Sequence, residues 1–219
     1  MDTINISATN SIVNKYMAEL RDKAYQKSRA LFRNNIERIG EIIAYEISKT
    51  LNYEMQEVET PLGTSRIMLP SDDIVLATVL RAGLPMHDGM LRIFDHADCA
   101  FVSAFRAYTD DSHTDVGIHI EYLAAPDLTG KTLIIADPML ATGGSIELGY
   151  KAFTTNGEPK RIHVASVIAA PEGVEHLQQV MPQDKTTIWC AAIDEGLNEH
   201  KYILPGLGDA GDLCYGDKK

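Results

Sequence analysis

The spacing of hydrophobic positions changes character near residue 70. Before that point, Ile36, Ile39, Ile43 and Ile47 recur at three- and four-residue steps between charged positions, which is typical of an amphipathic helix. The pattern predicts helix throughout residues 10–52. Core packing is the favoured interpretation of the apolar stripe, and a subunit contact is the alternative.

After residue 70, short apolar runs alternate with helical patterns. The helices are predicted to follow Pro85 and Gly144 and to cover residues 173–180. Strand and helix taking turns predict an α/β fold, a mostly parallel twisted sheet flanked by helices. The predicted strands cover residues 74–80, 99–105, 118–122, 133–136, 162–169 and 187–193.

Two segments are predicted to be irregular. Residues 107–116 are polar, and the chain from residue 198 onward is rich in glycine. Without a repeat or a linker, the sequence indicates one domain over residues 1–219. Its predicted parts are a helical arm (1–60), an α/β core (70–195) and a C-terminal loop and tail (196–219).

Composition narrows the class of partner. The chain has 219 residues, with 31 acidic against 20 basic side chains and a net charge of -11. This excess argues against a broad surface for nucleic acid or anionic membrane, since both are polyanions. Apolar runs are far shorter than the ~20 residues that span a bilayer, and no signal-type segment is found. Three widely spaced cysteines indicate reduced thiols, so a cytoplasmic protein is expected.

Residues 133–145 carry the strongest chemical motif. A buried strand ends at Asp137, Pro138–Met139–Leu140 forms a short loop, and Ala141–Thr142–Gly143–Gly144–Ser145 opens a helix. Glycines let several N–H groups face one point beside the helix N-terminus, which suits a phosphate monoester. Asp137 is placed to accept hydrogen bonds from sugar hydroxyls. The alternative is a tight turn in which Ser145 merely caps the helix.

Other motifs are excluded or weaker. The Gly-Lys-Ser/Thr ending of a Walker A loop and the dinucleotide-binding glycine pattern are both missing. His119–Ile120–Glu121 resembles the start of a zinc-deaminase motif, but the required Pro-Cys-x-x-Cys is lacking. We therefore assign His119 and Glu121 to the solvated face of a strand and predict no protein metal site.

Two arginines follow predicted strands. Arg81 begins Arg81–Ala82–Gly83–Leu84, and Arg106 follows Phe105. The guanidinium fork suits phosphate oxygens, whereas a lone arginine is more often a surface ion-pair partner. Two such arginines beside a phosphate loop favour a role in ligand binding.

Together these motifs resemble the uracil phosphoribosyltransferases, a branch of the class I phosphoribosyltransferases. Asp137-Pro138 is the uracil-specific form of the family's phosphoribosyl-diphosphate (PRPP) motif, where most class I members have two adjacent acids. Further matches are Leu20–Arg21–Asp22, Glu59–Thr60–Pro61–Leu62, Leu80–Arg81–Ala82–Gly83–Leu84, Ala192–Ile193–Asp194–Glu195 and the run from Tyr202 to Asp212. The pattern departs at Leu213, where relatives usually have Arg.

The resemblance implies an enzyme that makes UMP and diphosphate from uracil and PRPP with Mg²⁺, in pyrimidine salvage. It implies that Arg81 and Arg106 hold the diphosphate, Asp137 the ribose hydroxyls, and Ala141 to Ser145 the 5′-phosphate. Arg81, Arg106, Asp137 and Asp209 are the expected catalytic residues. Uracil is expected to contact Ile203, Gly208, Asp209 and Ala210.

The resemblance also implies a homodimer or larger homo-oligomer. The metal is expected to be held mainly by PRPP and water, and residues 107–116 to act as a lid. Some relatives respond to GTP, which no motif in this chain decides. Two alternatives stay open: a regulator that binds the same ligands without turnover, and a transferase for another base.

Overall fold

The computed structural model describes residues 1–108 and 116–217, with backbone alone over residues 104–108 and 116–120. The strands are β1 (Asp2–Asn5), β2 (Tyr53–Thr60), β3 (Gly63–Pro70), β4 (Ile74–Val79), β5 (Asp98–Tyr108), β6 (Val116–Ala124), β7 (Thr132–Ala136), β8 (Met139–Leu140), β9 (Arg161–Ala169), β10 (Thr186–Ile193), β11 (Gly196–Leu197) and β12 (Ile203–Leu204). The helices are α1 (Ile12–Arg21), α2 (Arg29–Ser48), α3 (Leu84–Leu91), α4 (Gly144–Phe153), α5 (Pro171–Val180) and α6 (Ala210–Tyr215).

The central sheet confirms the predicted fold class. Its order is β1-β10-β9-β7-β4-β5-β6, with β8 paired to β9. Neighbouring strands are parallel except for the β5–β6 pair. Strands β4 and β7 lie side by side, so that Thr78 is opposite Ala136. Because these strands are parallel, the segments that follow them emerge at the same edge of the sheet.

Two apolar cores lie on the two faces of the sheet. Helices α1, α2 and α3 contribute to one core, and α4 and α5 contribute to the other. Ile36, Ile39, Ile43 and Ile47 are completely buried in the first core, and each contributes about 1.5–3 kcal/mol relative to exposure. The isoleucine stripe of α2 therefore serves core packing and is not free to contact a partner.

The N-terminal helical region is interrupted, so the prediction of helix throughout residues 10–52 is wrong. Helix α1 ends at Arg21 and α2 begins at Arg29. Asp22 has an extended backbone, and its carboxylate accepts the N–H groups of Ala24 and Tyr25. Ser28 then caps α2 by accepting the N–H of Leu31. These local hydrogen bonds compete with helix continuation.

Two other elements differ from the prediction. Strand β1, within the expected helical arm, pairs with β10 at the edge of the sheet. Residues 53–70 form the β2–β3 hairpin, in which Met55 is opposite Met68. The division of the chain into arm, core and tail stays a prediction.

The two segments expected to be irregular are partly regular. Ala107 and Tyr108 belong to β5 and Val116 to β6, while the remainder of the expected lid, residues 109–115, lies outside the described residues. The tail contains β12 and α6. Helix α6 begins where Asp209 accepts the N–H of Asp212. Within the described chain, no helix has the length and apolar character to cross a membrane.

Candidate active site

A cavity of about 520 Å³ lies where the chain leaves β4 and β7. Arg81, Asp137, Ser145 and Asp209 all contribute to its wall. These residues are far apart in sequence, and the sheet order brings their segments to one edge. Open α/β sheets bind ligands at this carboxyl edge. A second cavity, of about 620 Å³, is lined by Asp72, Asp98 and Lys131 at the opposite edge and contains none of the predicted site residues.

Asp137 is the buried acid of the site. It follows β7 directly, and its N–H donates to the carbonyl of Ala165 at 3.1 Å. The side chain is 8% exposed, and its Oδ1 accepts the N–H of Met139 at 3.2 Å. Burial raises the pKa of Asp137 to about 6, and the Met139 hydrogen bond opposes that rise. The carboxylate is thus held rigidly with acceptor capacity left for a ligand.

The turn before α4 has the form expected for a phosphate site. Gly143 adopts a left-handed backbone, with φ of 80°, and the N–H of Gly144 faces the Thr142 hydroxyl at 3.4 Å. A side chain at Gly143 would approach the His176 ring to 2.9 Å, so both the backbone angle and the packing require glycine. The N-terminus of α4 places partial positive charge at this point.

The nine-residue motif divides into cavity-lining and supporting positions. Asp137, Met139, Ala141 and Ser145 line the cavity. Leu140 is fully buried in the core, and the Pro138 carbonyl accepts the N–H groups of Val167 and Ile168. The supporting positions, which shape the loop without lining the cavity, are Pro138, Leu140, Thr142, Gly143 and Gly144.

Arg81 is held by the C-terminal segment. Its Nη2 donates to Asp212 Oδ1 at 3.2 Å and to the Gly216 carbonyl at 3.3 Å. The side chain is 40% exposed, so it can exchange these oxygens for those of a ligand. Gly83 permits the tight turn, since a Cβ there would lie 1.8 Å from Thr78 Oγ1.

The C-terminal loop places Asp209 against the cavity. Asp209 Oδ1 accepts the Asp212 N–H at 3.0 Å, and the Ala210 N–H points to Met139 Sδ at 3.4 Å. Ile203 and Ala210 are buried, whereas Gly208 is exposed with φ of 95°. The predicted base-contacting positions therefore adjoin the PRPP motif, although of these only Asp209 lines the cavity itself.

The predicted role of Arg106 is not tested by the structure. Its backbone lies in β5 opposite Ile118, and its side chain is outside the described part. Ser103, on the same strand, does line the cavity. Glu121 is exposed and lies 3.3 Å from the Ser103 hydroxyl, in agreement with its assignment to a solvated strand face.

Sequence reasoning missed Lys201 and Tyr202, which line the cavity from the turn between β11 and β12. Asn198 shapes this turn by accepting the N–H groups of His200 and Tyr202 through its side chain. Lys201 has a left-handed backbone, with φ of 65°. The sequence could have indicated them only through their position, since they directly precede Ile203, which is predicted to contact the base.

Comparisons with known proteins agree with the geometry. The family model described as Uracil phosphoribosyltransferase matches residues 7–217. A uracil phosphoribosyltransferase from Porphyromonas gingivalis is 55% identical over 218 residues, covering 100% of both chains. One from Thermococcus gammatolerans is 38% identical, covering 93% of this chain and 89% of that protein. Among solved structures, the AQ2163 protein from Aquifex aeolicus has a TM-score of 0.84, 30% identity and 98% coverage of both chains.

Proposed function

The chain belongs to the uracil phosphoribosyltransferase family, and from that membership we propose how its residues transfer the phosphoribosyl group of PRPP to N1 of uracil. The products are UMP and diphosphate, so the reaction salvages a free pyrimidine base. The observation that carries the proposal is the convergence of Arg81, Asp137, Ser145 and Asp209 on one cavity. Arg81 suits the diphosphate, Asp137 the ribose hydroxyls, Ser145 the 5′-phosphate and Asp209 the base.

The proposed step is displacement at the anomeric carbon of the ribose. A bond forms from uracil N1 to this carbon while the bond to diphosphate breaks, and the diphosphate leaves with the electron pair. Positive charge grows on the sugar ring and negative charge on the leaving group. Arg81, with Arg106 in the proposed matching role, stabilises the diphosphate as it leaves. Asp137 holds the ribose hydroxyls, and the N-terminus of α4 holds the 5′-phosphate.

The donor set of the cavity fits a magnesium ion that arrives with PRPP. In the described part of the chain, no three His, Cys, Asp or Glu side chains cluster as metal ligands, while Asp137 and Asp209 offer two carboxylates. Mg²⁺ commonly takes one or two carboxylates and completes its shell with substrate phosphates and water. The bound ion would neutralise charge on the diphosphate.

We propose that uracil is recognised mainly by main-chain groups around Ile203 and Gly208–Ala210. Uracil alternates C=O and N–H groups along its edge, and backbone donors and acceptors can match them at fixed geometry. Cytosine would leave some of these groups unpaired, which is costly. We assign to Asp209, which lines the cavity, the N1 proton that is released as the new bond forms, a task for which an ordinary carboxylate is a weak base.

The experiment that tests the function is a nucleotide-forming assay with each base. We expect UMP from uracil, PRPP and Mg²⁺, and a loss of turnover when EDTA removes the metal. The chain should discriminate against cytosine by about 10⁴-fold or more, as sites with committed polar groups do. Nucleotide formed preferentially from another base would support a transferase of different specificity. Saturable PRPP binding without any product would instead support a regulator.

We also propose that the enzyme is a homodimer or a larger homo-oligomer, joined through the β2–β3 hairpin. All but one residue of the hairpin are exposed on both of its faces, including the apolar Met55, Val58 and Ile67. A two-stranded hairpin is marginally stable in water unless it packs against something. A second copy of the chain would supply that packing and cover the apolar side chains.

Light scattering coupled to size-exclusion chromatography measures this association. We expect the wild-type mass to be at least twice the 24.1 kDa of one chain, and Met55→Glu with Ile67→Glu to lower it to one chain. Val180→Glu is the matched control, since Val180 is also exposed and apolar but lies on α5. A monomeric wild type, or an unchanged mass in the double variant, would refute association through the hairpin.

A cytoplasmic location is proposed as well. Cys99, Cys190 and Cys214 are all free, as expected in a reducing compartment. Burial raises the pKa of the Cys190 and Cys214 thiols to about 12. Both thiols are therefore inert at neutral pH and are assigned no role in the reaction.

A further inference from the structure

One ion pair binds both main-chain polar groups of Gly206. The Gly206 N–H donates to Asp194 Oδ2 at 2.9 Å, and its carbonyl accepts from Arg21 Nη1 at 2.9 Å. Arg21 and Asp194 are themselves joined by two hydrogen bonds, of 2.8 and 2.6 Å. The three residues form a closed ring of hydrogen bonds, in which the backbone position of Gly206 is fixed from two directions.

The ion pair is anchored in the body of the protein. Asp194 directly follows β10, and its N–H donates to the carbonyl of Ala169, the last residue of β9. Arg21 is the last residue of α1. The side chains are 5% and 27% exposed respectively, so the pair is shielded from most solvent screening. A bidentate arginine–carboxylate contact of this kind defines orientation as well as distance.

Gly206 lies between the residues proposed to read uracil. Ile203 precedes it and Gly208 follows it in the same loop. Gly206 has φ of 65°, and a Cβ there would lie 2.0 Å from the Ile203 carbonyl oxygen. When backbone groups recognise a base, small displacements of the main chain directly misplace the donors and acceptors. Such a loop needs side chains elsewhere to hold it.

Other side chains of the N-terminal region hold the same segment. Gln26 Nε2 donates to the carbonyls of Leu20 and Leu207, both at 2.7 Å. Arg33 Nη1 donates to the Cys214 carbonyl at 2.6 Å. Side chains of residues 21–33 thus donate to carbonyls along the C-terminal loop and α6. These hydrogen bonds hold the N-terminal region and the C-terminal segment together beside the candidate site.

We propose that Arg21 and Asp194 are positioning residues, which act through Gly206 to place the uracil-reading backbone beside the PRPP cavity. This inference rests on the proposed function, because it assumes that Ile203 and Gly208–Ala210 contact the base. Neither residue lines the cavity, so their effect on substrate is indirect. The proposal predicts a selective loss of uracil affinity with retained affinity for PRPP.

Steady-state kinetics of Arg21→Lys separates this role from general stability. Lysine keeps the charge but replaces the bidentate contact with a single point contact, so KM for uracil should rise about tenfold while KM for PRPP changes less than twofold. The matched control is Arg92→Lys. Arg92 bridges Glu37 and Glu41 between α3 and α2, away from the cavity, and both KM values should stay unchanged.

Gln26→Ala provides an independent test if Arg21→Lys folds poorly. It leaves the ion pair intact and removes the donor to the Leu207 carbonyl, so KM for uracil should again rise several-fold with KM for PRPP unchanged. Parallel losses for both substrates, or KM values equal to those of Arg92→Lys, would overturn the positioning role. A wild-type protein that forms no UMP would overturn the proposed function instead, so the two failures are distinguishable.

Discussion

Asp137→Asn should lower kcat/KM for PRPP by about 10²–10⁴-fold, because each charge-assisted hydrogen bond to a ribose hydroxyl contributes about 1.5–3 kcal/mol. Asn has the same size and one oxygen acceptor, but it carries no charge and presents an NH₂ group where the second acceptor stood. Steady-state rates at saturating uracil measure the effect. An activity within a few-fold of wild type would remove Asp137 from the proposed ribose site.

The same substitution should make the folded protein more stable at neutral pH. The pKa of Asp137 is raised from 3.8 to about 6 by burial, so the folded state resists ionisation relative to the unfolded chain. The ionised Asp137 therefore lowers the stability of the folded state. This destabilisation is present above pH 6 and disappears as the pH falls below about 4. Removing it should raise the free energy of unfolding by on the order of 3 kcal/mol at pH 7, measurable by urea denaturation.

The pH dependence of the wild-type enzyme supplies a further readout of Asp137. Its kcat/KM should fall as the pH drops through about 6, because the protonated carboxyl loses acceptor capacity. The 5′-phosphate of PRPP titrates in the same region. Asp137→Asn keeps that substrate titration and lacks the protein's own, so the two profiles should differ. Superimposable profiles would contradict the assignment.

Local sequence patterns predicted the strand, turn and helix of the PRPP motif correctly, while the binding roles of its residues stay predictions. The thirteen residues from Leu133 to Ser145 contain a buried strand, an acid and a glycine turn. Their structure depends mainly on contacts that such a short segment defines itself: the end of β7, the left-handed Gly143 and the start of α4. Alternation of apolar runs with helical patterns likewise predicted the sheet and its flanking helices.

Features that depend on distant contacts escaped prediction. The Arg21–Asp194 pair joins residues 173 positions apart, and no spacing rule connects them. The β2–β3 hairpin has no buried face, so the alternation that reveals a half-buried strand is weak there. Helix α6 was obscured by Gly211 and by the glycines of the preceding loop, and it begins where Asp209 caps it. Only the structure shows that Asp209 both caps this helix and lines the cavity.

Asp209→Asn should lower kcat by about 10²-fold or more while leaving the fold intact, since removing one preorganised polar group of a transition state commonly has an effect of this size. Asp209 lines the cavity beside Arg81 and Gly211. Its charge would be lost beside both the base and the diphosphate end of PRPP. The amide oxygen of Asn would still accept the N–H that caps α6, because Asn and Asp are comparable N-cap residues.

Asp209→Ala separates the chemical role of this residue from its structural one. Alanine cannot accept the Asp212 N–H that Asp209 now accepts at 3.0 Å, so it should cost about 1 kcal/mol of stability. The free energy of unfolding of Asp209→Asn should lie within about 0.5 kcal/mol of the wild-type value, because the substitution disturbs no contact. Thermal unfolding and kcat are measured for both variants. If the charge of Asp209 serves the reaction, both variants are impaired in turnover although only Asp209→Ala is destabilised. If Asp209→Asn turns over normally, Asp209 acts only as the cap that holds α6 against the cavity.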